Sequence, residues 1–103
     1  MKEKRCNKNY GGKALIPLTI YGSHLCQDTL YALMKVKDAG AAVEFHNISA
    51  VLPDLHEFMI LRQTDPVYTD VSSERIGMPL FICEDGSKTL SLSQVLDRLS
   101  HNG

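Results

Sequence analysis

A strand, a helix and a second strand follow one another within about thirty residues in the first half of the chain. An apolar run over residues 15–21 is closed by a Gly-Ser pair, which is typical of a buried strand. Apolar side chains then recur at helical spacing over residues 26–39, and Gly40 provides a natural helix end. Alternating apolar and polar residues at 43–47 predict the second strand. Units of this kind form two parallel strands joined by a right-handed crossover.

The second half of the chain predicts a helix, two adjacent strands and a last helix. Pro53 opens the first of these helices, which ends near residues 62–64 because an Asp-Pro pair follows. A Glu-Asp-Gly turn joins the last two strands into a hairpin. Ser91 or Ser93 caps the last helix. The predicted strands lie at residues 18–21, 43–47, 80–83 and 88–90.

This order of elements predicts an α/β fold, with a four-stranded mixed sheet flanked by three helices. We expect residues 15–100 to form one domain. Residues 1–14 lack periodicity and are predicted to form a flexible arm. The polar stretch at residues 65–77 is long for a connection, and loops of this length are usually functional or mobile.

The balance of charge limits the possible partners. The 103 residues include 11 Lys or Arg and 12 Asp or Glu, for a formal net charge of -1. Interspersed charges of both signs provide no basic surface for nucleic acid or for an anionic membrane. No apolar run approaches the roughly 18 residues of a membrane span, and the polar start lacks the features of a secretory signal. We therefore expect a cytoplasmic protein that binds neither nucleic acid nor membrane, and we expect a monomer.

Three widely spaced cysteines, Cys6, Cys26 and Cys83, do not fit a disulfide scaffold, which usually has a denser and even set. Their spacing also lacks the paired ligands of a structural zinc site, so we expect no metal. Cys6 lies in the predicted arm as an exposed, incidental thiol. Cys83 lies in a predicted strand as a small buried residue. Cys26 differs from both because it begins a helix.

The position of Cys26 favours a reactive thiol. At a helix N-terminus, unpaired backbone N–H groups and the positive end of the helix dipole stabilise a thiolate. Asp28 in the same first turn opposes this effect, because it adds a second negative charge. His24 has two interpretations: it stabilises a thiolate or acts as a general base, or it is a solvated loop residue.

Two segments of the chain resemble the glutaredoxin branch of the thioredoxin superfamily. Tyr21-Gly22-Ser23-His24-Leu25-Cys26-Gln27-Asp28-Thr29 is similar to the active-site segment of glutaredoxins, and Gly77-Met78-Pro79-Leu80-Phe81-Ile82 is similar to their threonine-valine-proline segment and the strand after it. The resemblance covers about residues 18–99 and implies a thioredoxin-like fold, βαβ-α-ββα, whose four-stranded mixed sheet has the order 2-1-3-4 and is flanked by three helices. It also implies that Pro79 follows a cis peptide bond and faces the active-site sulfur. Met78 would then offer its backbone N–H and C=O groups to an extended thiol substrate.

The resemblance further implies a monothiol site, with Cys26 and Thr29 as its catalytic residues. Thr29 occupies the position of a second cysteine. A CxxC disulfide therefore cannot form, and a redox cycle runs through mixed disulfides with a second molecule. The Thr29 hydroxyl either hydrogen-bonds the Cys26 sulfur or bonds a preceding carbonyl of the helix.

Two departures from the glutaredoxin pattern weaken the expected binding of glutathione. Ser23 stands where glutaredoxins have a lysine, and Ser91-Leu92 stands where they have a glycine pair before the last helix. We therefore expect no resident cofactor, with glutathione or another low-molecular-weight thiol as a co-substrate. The predicted substrate-binding residues are Ser23, His24, Met78, Pro79, Ser91, Leu92 and Ser93.

The leading functional prediction is a glutaredoxin-like thiol-disulfide oxidoreductase, whose partner is a low-molecular-weight thiol or a thiol-containing protein. The alternative is a thioredoxin-fold binding module without redox turnover, which holds a protein partner through its groove and the loop at 65–77. An iron–sulfur carrier is disfavoured. The cysteine of such carriers is followed by glycine, phenylalanine and serine, whereas Gln27, Asp28 and Thr29 follow it here.

Three side chains beside or within the long loop each have two interpretations. Arg62 and Arg75 either reach an anionic group near Cys26 or stay solvated. Tyr68 either covers the active-site groove or anchors the loop to the domain surface.

Overall fold

We describe residues 15–102 of the chain from a computed structural model. The predicted arm at residues 1–14, with Cys6, lies outside the described residues. The elements in chain order are β1 (Ile16–Gly22), α1 (Gln27–Asp38), β2 (Ala41–Asn47), α2 (Leu52–Thr64), a short 3-10 helix (Pro66–Tyr68), β3 (Leu80–Cys83), β4 (Lys88–Thr89) and α3 (Leu92–Asn102).

The four strands form one mixed sheet in the order β2-β1-β3-β4. Strand β1 pairs parallel to β2 and antiparallel to β3, and β4 returns antiparallel to β3. The predicted fold class, strand order and thioredoxin-like arrangement are therefore confirmed. Strands β1 and β2 each begin two residues earlier than predicted, because Ile16 already pairs with Ala41.

Both faces of the sheet are covered by helices. Residues alternate between the two faces of a strand, so Ile20 and Phe81 point toward α1 and α3, whereas Tyr21 and Leu80 point toward α2. Phe58 of α2 packs into the second cluster, together with Tyr68 from the long loop. Within residues 15–102, no helix combines the length and apolar character needed to cross a membrane.

The helix ends follow local chemistry. Gly40 has a φ of 98° after α1, a left-handed conformation that suits glycine at a helix end. At the start of α3, Ser91 Oγ accepts a hydrogen bond from Gln94 N at 3.3 Å. Of the two predicted caps for this helix, Ser91 is therefore the one used.

The loop at residues 65–77 is ordered by its own side chains. Asp65 Oδ1 accepts a hydrogen bond from Val67 N at 3.0 Å, and Lys88 Nζ lies 3.1 Å from Asp65 Oδ2. The hydrogen bond from Val67, with the lysine, lowers the pKa of Asp65 against the opposing effect of burial. Tyr68 is buried and donates its hydroxyl to Gly77 O at 2.7 Å. Tyr68 thus anchors the loop to the domain.

Gly77 and Gly86 provide a matched test of this anchor. Both have a positive φ, of 79° and 89°. A Cβ atom at position 77 would lie 2.5 Å from Tyr68 Cε1, whereas one at position 86 would have no neighbour within 4 Å. We predict that Gly86→Ala lowers the free energy of unfolding by about 1 to 2 kcal/mol through backbone strain. Gly77→Ala should lower it by a further ~1 to 3 kcal/mol through overpacking. Equal losses in urea unfolding would contradict the packing described.

Candidate thiol site

The sheet topology brings the two halves of the predicted site to one end of the sheet. Cys26 follows β1, whose residue Tyr21 pairs with Leu80 at the start of β3. Pro79 immediately precedes that strand, is buried, and follows a cis peptide bond to Met78. The predicted cis bond is confirmed. A direct contact between Pro79 and Cys26 stays a prediction.

Cys26 is the N-cap residue of α1. Its backbone is extended, its N–H donates to Ser23 O at 3.0 Å, and its carbonyl accepts the first helical hydrogen bond from Leu30 N at 3.1 Å. The thiol is free and partly exposed, and it makes no capping hydrogen bond to the first turn. The first-turn amides therefore keep their potential to stabilise negative charge on this sulfur.

Ser23 forms the turn that leads into Cys26. Its side chain is buried, with an exposed fraction of 2%. Ser23 Oγ accepts a hydrogen bond from Leu25 N at 3.0 Å and also hydrogen-bonds Ser49 Oγ. Either serine can donate in the bond between Ser23 Oγ and Ser49 Oγ, because a hydroxyl oxygen that accepts from Leu25 N keeps a second lone pair. The position that holds lysine in glutaredoxins is thus turned inward here, toward the loop after β2.

Thr29 supports the same turn from inside the helix. It is fully buried, and its Oγ1 accepts a hydrogen bond from Ser23 N at 3.4 Å. Gly22 lies so close that a Cβ atom there would stand 2.6 Å from Thr29 Oγ1. Two partners were predicted for the Thr29 hydroxyl: the Cys26 sulfur and a preceding carbonyl of the helix. Within residues 15–102, Thr29 is hydrogen-bonded to neither of them. The hydroxyl holds the backbone before Cys26 in place.

Asn47, at the end of β2, fixes the orientation of His24. Asn47 Oδ1 accepts hydrogen bonds from His24 N at 3.4 Å and Ser49 N at 3.1 Å, which identifies the other amide atom as the donor. Asn47 Nδ2 then donates to His24 Nδ1 at 2.8 Å. A ring nitrogen that accepts carries no proton, so the neutral ring presents Nε2–H. Sequence reasoning missed Asn47, although its register with Gly22 would have placed it beside this loop.

The remaining predicted substrate-binding residues begin α3. Ser91 N donates to Thr89 Oγ1 at 3.1 Å, and Ser91 Oγ lies 3.0 Å from Ser93 Oγ. Leu92 packs against the core between the sheet, α1 and α3. Ser91 and Leu92 thus have defined structural roles in the helix start, and Ser93 remains exposed.

A second polar cluster lies on the α2 side of β1 and β2. The ring of His46 stacks on Tyr21 with centroids 4.5 Å apart, and its Nδ1 and Nε2 lie 2.8 Å from Asp54 Oδ1 and 2.6 Å from Glu44 Oε2. Tyr21 in turn donates its hydroxyl to Glu57 Oε1 at 3.1 Å. Burial alone lowers the pKa of His46, but the two carboxylates outweigh burial and raise it.

The same cluster contains the side chains best placed to hold a metal ion. Ligand atoms of His46, Asp54 and Glu57 all lie within 4.8 Å of one another. These residues come from β2 and α2, so their spacing along the sequence carries no metal signature. In the structure both ring nitrogens of His46 already face carboxylates, which is the arrangement of a protonated histidine in an ion pair.

No protein-family model matches this chain, and comparisons with curated proteins and with solved structures likewise gave no match. A functional assignment therefore depends on the geometry of the chain itself.

Thr29 can be tested by two substitutions that separate its hydroxyl from its methyl group. Thr29→Val keeps the shape but removes the acceptor of the buried Ser23 N–H, and we predict a loss of about 1 to 3 kcal/mol in the free energy of unfolding. Thr29→Ser keeps the acceptor and removes one methyl group, which should cost about 1 kcal/mol. Urea unfolding measures both, and faster amide exchange at Ser23 should accompany the valine variant alone. A valine variant as stable as the serine variant would contradict the role of the hydroxyl.

The His46 ion pairs should make stability depend on pH. Because the folded-state pKa of His46 lies above the ordinary value of 6.5, the pairs contribute fully below about pH 6.5 and are lost as pH rises through the folded-state pKa. We predict that His46→Gln costs more stability at pH 5.5 than at pH 8.5 in urea unfolding. The control is His56→Gln, an exposed histidine of α2, which should show no such difference. A larger loss at the higher pH would contradict the assignment.

Proposed function

We propose that this chain is a thiol-disulfide oxidoreductase that acts through Cys26 and mixed disulfides, in the manner of a monothiol glutaredoxin. The observation that carries the proposal is the free, partly exposed thiol at the N-cap of α1, at the sheet end where the cis Met78–Pro79 peptide enters β3. A helix N-terminus is, in general, a position at which unpaired backbone amides favour a thiolate. A backbone segment next to a proline before β3 suits pairing with an extended substrate.

The proposed reaction consists of two successive thiol-disulfide exchanges and needs one incoming thiol. The Cys26 thiolate attacks one sulfur of a substrate disulfide, a Cys26–substrate disulfide forms, and the other sulfur leaves as a thiolate. The thiolate of a second molecule then attacks the substrate sulfur of the mixed disulfide. The bond to Cys26 Sγ breaks, Cys26 leaves as a thiolate, and a new disulfide joins the incoming sulfur to the substrate. Thr29 stands at the resolving position, so this second thiol comes from glutathione, another small thiol or a protein.

Two neighbours shape the surroundings of Cys26. Asn47 occupies His24 Nδ1, which leaves Nε2 as the ring nitrogen that can face a substrate. Thr29 acts by holding the Ser23 backbone, which in turn sets the turn before Cys26. We further propose a cytoplasmic location, since three widely spaced cysteines do not fit the disulfide scaffolds of oxidising compartments.

A second candidate function is a protein-binding module without turnover. Leu25 and Leu52 follow β1 and β2 at the same end of the sheet, and their exposed fractions are 77% and 75%. Exposed apolar residues around a site favour a protein partner over a charged small molecule. The inward orientation of Ser23 favours it too, because no side chain at that position is available for a carboxylate.

Cysteine substitutions separate the two functions. We predict that Cys26→Ser abolishes mixed-disulfide formation with a cysteine peptide disulfide, whereas Cys6→Ser and Cys83→Ala leave the rate nearly unchanged. Of the two cysteines within residues 15–102, Cys26 is the one that combines partial exposure with a helix N-terminus. Mass spectrometry of the adduct measures the outcome. A folded chain whose Cys26 forms no adduct with either glutathione disulfide or the peptide disulfide would favour the binding module.

A further inference from the structure

One guanidinium holds the backbone of the long loop at three points. Arg62, in the last turn of α2, donates from Nε to Ile76 O at 3.1 Å and from Nη2 to Ser72 O and Arg75 O, both at 2.8 Å. The planar fork of arginine is suited to such a set, whereas a lysine offers only a point charge. Arg62 was predicted either to stay solvated or to reach an anionic group near Cys26. The structure shows a third arrangement, in which its guanidinium binds loop carbonyls.

Tyr68 completes this arrangement from the other side of the loop. The Arg62 guanidinium carbon lies 4.8 Å from the centroid of the Tyr68 ring, which packs edge-on against Phe58. The Tyr68 hydroxyl donates to Gly77 O at 2.7 Å, and the ring covers the Cα of Gly77 so closely that no side chain fits there. Burial raises the pKa of Tyr68 to about 12, so this hydroxyl remains a donor across the physiological range.

The carbonyls held by these two side chains include those of Ile76 and Gly77, the two residues before Met78. A polar loop of this length is ordinarily mobile. Fixing the loop in one conformation costs conformational entropy. The hydrogen bonds from Arg62 and Tyr68 to the loop carbonyls offset this cost. The last carbonyl held in this way, that of Gly77, directly precedes Met78, whose backbone is proposed to pair with the substrate.

We propose that Arg62 and Tyr68 are positioning residues that hold Ser72–Gly77 so that the Met78 backbone can pair with an extended peptide whose cysteine is joined to Cys26. The inference rests on the proposed function and names its substrate class, a cysteine within an extended peptide. The two side chains act as one unit, because the Tyr68 ring supports the guanidinium and the hydroxyl holds the carbonyl next to Met78.

The test compares two reactions of Cys26 in a Cys6→Ser, Cys83→Ala background. One probe is a blocked Gly-Cys-Gly peptide whose cysteine is disulfide-bonded to thionitrobenzoate. Attack of the Cys26 thiolate on the peptide sulfur forms the mixed disulfide and releases coloured thionitrobenzoate. The other probe is iodoacetamide, which alkylates the same thiolate without a peptide backbone to align. The variants are Arg62→Lys and Tyr68→Phe. The control is Arg75→Lys, in the same loop, whose guanidinium makes no hydrogen bond within residues 15–102.

We expect Arg62→Lys and Tyr68→Phe each to lower the rate with the peptide disulfide by about 3- to 10-fold, the effect of losing one aligned hydrogen bond. The iodoacetamide rate should stay unchanged in both variants, and Arg75→Lys should change neither rate. In the double variant the two losses should not multiply, since residues of one unit are coupled. An unchanged peptide rate, or an equal fall in both rates, would overturn the proposal.

Failure of the proposed function would be distinguishable from failure of this inference. If the parent protein reacts with iodoacetamide but not with the peptide disulfide, the oxidoreductase proposal fails. Amide hydrogen exchange of residues 74–78 then reports the loop directly. Faster exchange in Tyr68→Phe but not in Arg75→Lys would show that Tyr68 holds this segment even without a peptide substrate, whereas unchanged exchange would overturn the holding of the loop as well.

Discussion

The double pairing of β1 is the constraint on which the core and the candidate site both depend. This strand bonds β2 in parallel on one side and β3 antiparallel on the other, with Ile20 fully enclosed between them. The parallel pairing places the ends of β1 and β2 at one edge of the sheet, and the antiparallel pairing places the start of β3 there too. The ends of β1 and β2 and the start of β3 are distant in sequence. The two pairings alone bring them to the edge of the sheet where Cys26 lies.

The turn after β1 then converts this shared edge into a defined site. Ser23 links the turn to Ser49 in the loop after β2, and Thr29 links it to the body of α1. Asn47 adds a third link through His24. The backbone turn that carries Cys26 is therefore fixed by three hydrogen-bonded links, which suits a nucleophile that must keep one orientation.

The parts of the fold that could be predicted are those encoded by local patterns. The βαβ unit, the hairpin and a serine cap at position 91 or 93 follow from periodicity and short motifs, and the strand order and the cis bond before Pro79 followed from the resemblance. The Asn47 contact, the His46 cluster and the three carbonyl contacts of Arg62 could not be predicted, because each joins residues from different elements. Such contacts depend on the distances between packed elements, which a hydrophobic pattern does not specify. Tyr68 was open to two interpretations for the same reason.

The inward orientation of Ser23 also limits how this site could change its ligand preference. A lysine at this position would have to place an ammonium group where the serine hydroxyl now meets Ser49, and burying an unpaired charge is costly. A single substitution is thus a poor route toward a carboxylate-binding site. The loop after β2 would have to retreat first, for example through a smaller residue at position 49. A change of residue 23 in the turn before α1 would therefore require a change in the loop after β2, so these two segments would have to evolve together.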